Sequence, residues 1–118
     1  MGNTVRHLSF KKRFVTFAVY DIIERSKGVY HRDKLTGEIS AELNVYDNVN
    51  SFRIIVKDAC NTDESIMHII CDTDESDISA RASQRAVNFL ADSVEQLLEN
   101  ELLMAKNLRI GIKKLELV

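Results

Sequence analysis

A two-residue alternation narrows the fold of this chain more than any other feature. Ile39, Ala41, Leu43 and Val45 interleave with Glu38, Ser40, Glu42 and Asn44, which makes one side of an extended segment apolar and the other polar. A slip of one residue would turn all four apolar side chains into water, so the register of this strand is fixed. Phe52, Ile54 and Val56 interleave with Arg53, Ile55 and Lys57 in a second strand, set off by a turn over Asp47-Asn48-Val49-Asn50. After another turn at Cys60-Asn61-Thr62-Asp63, residues 66–71 are apolar on both faces except for His68. Met67, Ile69 and Cys71 are expected in the core, with Ile66, His68 and Ile70 opposite. Thr36-Gly37 reads as a turn with glycine supplying a positive φ, and residues 29–32 as the hairpin strand before it. Connections this short join only antiparallel neighbours, which predicts a meander of three or four strands.

Helices flank this meander. At 100° per residue, Ala86, Val87, Leu90, Ala91, Val94, Leu97 and Leu98 fall in one sector of a helix from about Asp77, with Arg81, Arg85, Asn88, Asp92, Glu95 and Glu99 opposite. This stripe is expected on the sheet. Beyond Leu98 the register fails, because Leu102, Leu103 and Met104 leave the stripe in different directions. A helix continued to Ala105 would be about 43 Å long, against about 20 Å for four strands side by side. The segment from Phe14 to Ile23 is rich in β-branched and aromatic residues and suits a buried strand as well as a helix. Its ending decides for a helix: Arg25 and Lys27 lie in the last turn, and Gly28 follows as the C-terminal cap. Ser9 is then the expected N-cap. Leu108, Ile110 and Ile112 alternate with Arg109, Gly111 and Lys113, which predicts a final strand that pairs with a sheet edge. The fold class is therefore α+β. The 118 residues, with no proline, no Gly/Ser linker and no internal repeat, read as one domain, with a core over about 10–100 and a tail over 101–118.

Charge divides the chain. Lys and Arg outnumber Asp and Glu by 5 over residues 1–35 and by 3 over 106–118, while the acids lead by 10 over 36–105. Both ends are basic and the middle is acidic. Cys60 and Cys71 fall on one hairpin with Cys71 opposite Phe52, too far apart to bridge, so two free thiols are expected, as in the reducing cytoplasm. The longest apolar stretch, 14–23, contains Asp21 and falls short of the roughly 20 residues a bilayer span requires. Gly2 lacks the Ser or Thr that an acylation pattern places at position 6, where this chain has Arg6. No membrane partner is expected.

Catalytic and metal signatures are weak. Asp72, Asp74 and Ser76 occupy the first ligand positions of an EF-hand loop, but Asp77 replaces its glycine and Ser83 its bidentate glutamate. The Asp-x-Asp run after an apolar strand also lacks the further motifs a phosphatase of that kind needs. An acidic helix start accounts for the run without function. His7, His31 and His68 show no metal-ligand spacing, and Cys60 sits beside carboxylates that disfavour its thiolate. No cofactor is implied. The basic run Lys11-Lys12-Arg13, with Arg6 and His7 nearby, stands where a helix dipole disfavours cations. It is the candidate anion-binding segment for a phosphate or nucleic acid, unless acids at 74–77 offset it or the helix starts later.

The order of helix, meander and long helix, with the turn-marked Asp33-Lys34-Leu35-Thr36-Gly37-Glu38-Ile39-Ser40-Ala41, resembles small bacterial helix-grip-like domains. These occur in uncharacterised proteins and in lipoprotein components of outer-membrane assembly. The resemblance covers about residues 10–100 and implies a fold, not a reaction; this chain lacks the lipoproteins' signal peptide and lipidation cysteine. The first functional expectation is a noncatalytic interaction module that self-associates or docks a protein through Phe89, Leu102, Leu103, Met104, Leu108, Ile110 and Ile112. The alternatives are a small-ligand carrier with its pocket between sheet and long helix, a phosphate- or nucleic-acid-contacting accessory protein, and, last, an enzyme.

Overall fold

The alternating segments become hairpins. A computed structural model describes residues 2–46, 48–71 and 77–116, the side chains of 77–80 and 103–116 excepted. Among them are strands β1 (Gly2–Leu8), β2 (Val29–Arg32), β3 (Ile39–Val45), β4 (Asn48–Asp58) and β5 (Ser65–Cys71), and helices α1 (Lys12–Arg25) and α2 (Asp77–Glu116). The strands form one antiparallel sheet in the order β1-β5-β4-β3-β2. The expected meander is β2 to β5, with Cys71 paired to Phe52 as anticipated. Neither cysteine is in a disulfide; Cys60 is exposed and Cys71 is buried.

Both helices cover one face of the sheet. Val15, Ala18, Val19 and Ile23 of α1 join Ala86, Val87, Leu90, Ala91, Val94, Leu97 and Leu98 of α2 over Ile39, Leu43, Phe52, Ile54, Met67 and Ile69, all buried. The stripe read from the sequence is the buried one. Asn50, also buried on this face, is satisfied locally: its amide donates to the Asn48 carbonyl at 2.9 Å. The opposite face carries half-buried Ile55, Ile66, His68 and Ile70 and has no covering layer among the described residues.

Four expectations are corrected. A fifth strand, β1, pairs with β5 from Gly2↔Cys71 to Leu8↔Ser65 where the sequence suggested a basic arm. Its core-facing positions include Thr4 and Arg6 while Val5 points away at 58 % exposure, so the usual apolar alternation is inverted. Second, α1 starts at Lys12 with Lys11, not Ser9, as N-cap; the Phe14 and Val15 N–H groups donate to the Lys11 carbonyl. Ser9 and Phe10 instead carry the chain off the sheet edge, where the Ser65 hydroxyl donates to the Phe10 carbonyl at 2.9 Å. Third, β3 and β4 pair as far as Val45↔Asn48, so Asn48, Val49 and Asn50 belong to a strand, and Tyr46 takes the positive φ of a tight turn. Fourth, residues 108–112 lie inside α2, which runs unbroken to Glu116. No proline or turn signal separates them from Leu98, and five alternating residues are too few to outweigh a propagating helix.

The hairpin loop before β3 forms as read. The Asp33 carboxylate accepts the Leu35 and Thr36 N–H groups at 2.8 and 3.0 Å, and Gly37 has φ 76°. The Thr36 bond, then the Leu35 bond, holds Asp33 below its ordinary value of 3.8. The ionised carboxylate therefore supports the turn above that value, and the support is lost as pH falls through the depressed one.

At the other edge, α2 closes β1. The Gln84 side chain accepts from the Asn3 N–H at 3.2 Å and donates to the Asn3 carbonyl at 3.0 Å, as a neighbouring strand would. Gly2 allows this approach, since a Cβ there would lie 2.5 Å from the Ser83 backbone.

Candidate functional site

Two features stand apart from the core: a basic groove beside α1 and the far end of α2. The groove follows from how α1 turns into β2. Lys27 N–H donates to the Glu24 carbonyl and Gly28 N–H to the Ile23 carbonyl, a Schellman ending in which Lys27, at φ 57°, takes the left-handed position the sequence assigned to Gly28. Gly28 is needed for proximity instead, because a Cβ would sit 2.6 Å from the Glu42 carbonyl oxygen. The chain then returns along α1. Tyr30 stacks on Tyr20 with centroids 4.6 Å apart, and its hydroxyl donates to Glu24 at 3.0 Å. That hydrogen bond, more than its slight desolvation, raises the Tyr30 pKa.

Continuing the return past Tyr30 places Arg32 beside the first turns of α1. Lys11, Lys12, Arg13, Thr16, Phe17, Tyr20, Arg32, Asp58 and Thr62 line a groove of 460 Å³. Lys11 reaches Asp63 at 3.8 Å and Arg13 lies 4.9 Å over the Phe14 ring. Lys12, Arg13 and Arg32 form no ion pair among the described residues. The first turn of α1 has no acid and no capping side chain. Phe17 stands 65 % exposed at the rim.

Arg6 is elsewhere. Its guanidinium donates to Asp92 at 2.8 Å and Glu95 at 2.9 Å on α2, and its Nε to the Thr4 hydroxyl at 3.1 Å. The Asp92 hydrogen bond, against a desolvation cost, raises its pKa. It fastens β1 to α2. Arg6→Ala is expected to cost about 1 kcal/mol, seen as a lower urea midpoint, the gain being small because Asp92 is largely exposed.

Sequence reading found Lys11, Lys12 and Arg13 but missed Arg32, Phe17 and Tyr20. A signal existed: from the turn at Lys27, Arg32 is about 16 Å away at 3.3 Å per strand residue, and Thr16 also about 16 Å at 1.5 Å per helix residue.

The projecting end of α2 is the second feature. Leu98 is the last residue of the helix that is buried among the described side chains, and Phe89 and Leu102 are exposed. Phe89 meets Tyr46 edge-on at 5.5 Å in an open groove with Ile22 and Leu97, while Arg85 lies over the Tyr46 ring. Phe14, Phe17 and Glu101 border one further hollow, so exposed aromatics of α1 adjoin the root of the projection. The side chains of Leu103, Met104, Leu108, Ile110 and Ile112, and the acidic run 72–76, lie outside the described residues. Among those described, no three potential metal ligands cluster, and no helix is long and apolar enough to cross a membrane. His7 lies 3.3 Å from Glu64 on the surface.

Comparison with known proteins adds no assignment: no family model, no curated protein and no solved structure matches this chain.

Proposed function

We propose that the protein is a noncatalytic interaction module that pairs with a second copy of itself through the projecting end of α2. The length of that helix supports this most directly: it continues 18 residues beyond Leu98 to Glu116, about 27 Å. An isolated helix in water is steadied by opposite charges four residues apart. This one has like charges at that spacing, Glu95 with Glu99 and Arg109 with Lys113. Residues 95, 99, 102, 106, 109 and 113 follow a 4-3-4-3-4 spacing along one side, Glu, Glu and Leu in the first half and Lys, Arg and Lys in the second. A parallel pair would set like against like; an antiparallel pair sets 99 against 109 and 95 against 113. The stripe 104, 108, 112 and 115, all apolar, offers further area.

The carrier reading gains little, because the layer between sheet and α2 is filled by Val87, Leu90, Val94, Met67 and Ile69. Light scattering on the full chain is expected to give a dimer. Glu99→Lys and Arg109→Glu should each shift it to monomer, and an equimolar mixture of the two should restore the dimer. A strict monomer at high concentration would remove this reading.

A further inference from the structure

The basic groove is separate from the projecting helix and holds three cations, Lys12, Arg13 and Arg32, that form no ion pair among the described residues. Its cations come from two elements, Lys11, Lys12 and Arg13 from the start of α1 and Arg32 from β2. Like charges brought together by a fold repel, and here the one lining carboxylate is Asp58, with Asp63 near Lys11 alone. An anion that several of them share would relieve that repulsion, and a phosphate offers oxygens enough to accept from both arginines and a lysine. Aromatic surface lies in the same groove: Phe17 presents an exposed ring, and Tyr20 is held in place by its stack on Tyr30. A groove of 460 Å³ lies within the range that small ligands fill.

We propose that this groove binds a nucleotide unit, free or within a single strand, with its phosphate among Lys12, Arg13 and Arg32 and its base stacked on Phe17. Stacking on an aromatic ring beside a cationic track is how single strands are held without sequence preference. Plain charge attraction would need no ring, and an apolar partner would need no converging arginines.

The test is fluorescence anisotropy of the full chain with a labelled oligothymidylate at low salt, competed by thymidine monophosphate and by inorganic phosphate. Binding is expected to weaken with salt at a log–log slope of about −0.7 to −1.4, the release from one or two phosphates of a single strand. Arg32→Ala and Phe17→Ala should each weaken it about tenfold. Both residues are exposed, so circular dichroism and unfolding midpoints should stay unchanged. Lys114→Ala, in the projecting helix but outside its charged row, should leave binding as it is. Competition by the monophosphate at concentrations matching the strand's nucleotides identifies a free nucleotide as the ligand; competition only by longer strands identifies the strand. Inorganic phosphate competing as well as the monophosphate, with Phe17→Ala silent, would overturn the nucleotide assignment. So would absence of binding, or binding lost only in the Lys114 variant. None of these results depends on whether the chain dimerises.

Discussion

Phe52→Ala should remove a large part of this protein's stability at room temperature. Phe52 is 2 % exposed and sits on β4, in the middle of the sheet, between Cys71 and Ala41 of the neighbouring strands. Removing a buried ring costs the transfer free energy of its carbons and leaves a cavity that the hairpins on either side cannot close, in total about 3–5 kcal/mol. A domain of this size has only about 5–15 kcal/mol to lose. Urea unfolding followed by circular dichroism would show the loss as a collapsed midpoint, and Phe52→Leu should recover most of it. A change under about 1 kcal/mol for the alanine variant would mean that the ring is not held in a packed layer.

The next largest effect is expected at the end of α1, where neighbouring residues should respond in opposite directions. At Gly28 an added Cβ meets the Glu42 carbonyl oxygen at 2.6 Å and the Leu43 Cβ at 2.8 Å, and neither can move without shifting β3. Gly28→Val should therefore cost about 1–3 kcal/mol or more. Lys27, at φ 57°, holds the conformation that glycine adopts without strain, and Lys27→Gly should raise the stability by several tenths of a kcal/mol. Equal losses at both positions would contradict the assigned ending of the helix.

That pair also shows what could be read from the residues alone. Basic residues followed by glycine correctly marked where α1 stops, but which residue turns left-handed depends on how near β3 comes, a tertiary fact. The hairpins β2 to β5 were legible because one wet face and one dry face leave a strict alternation in Ile39–Val45 and in Phe52, Ile54 and Val56. β1 was not, because its inward Arg6 answers to Asp92 and Glu95 of α2, with the Thr4 hydroxyl accepting from Arg6, instead of to a hydrophobic layer. Residues 108–112 misled for the opposite reason: a short alternation sat inside a helix that has no signal to end. Half of the basic groove was visible as a run in sequence. Arg32, and the Tyr30 ring that stacks on Tyr20, join it only because β2 runs back along α1.

The pairing of β1 with β5 ties the shape of the molecule to the order in which it is made. Leu8 and Gly2 meet Ser65 and Cys71, which leave the ribosome 57 and 69 residues later. At about 5–20 residues per second, the first strand waits about 3–14 s for its partner strand. Gln84 and Asp92, which latch it to α2, arrive later still. Until then this segment is a bare ribbon beside a growing chain, and a ribosome stalled upstream of codon 65 holds a nascent protein that cannot close its sheet.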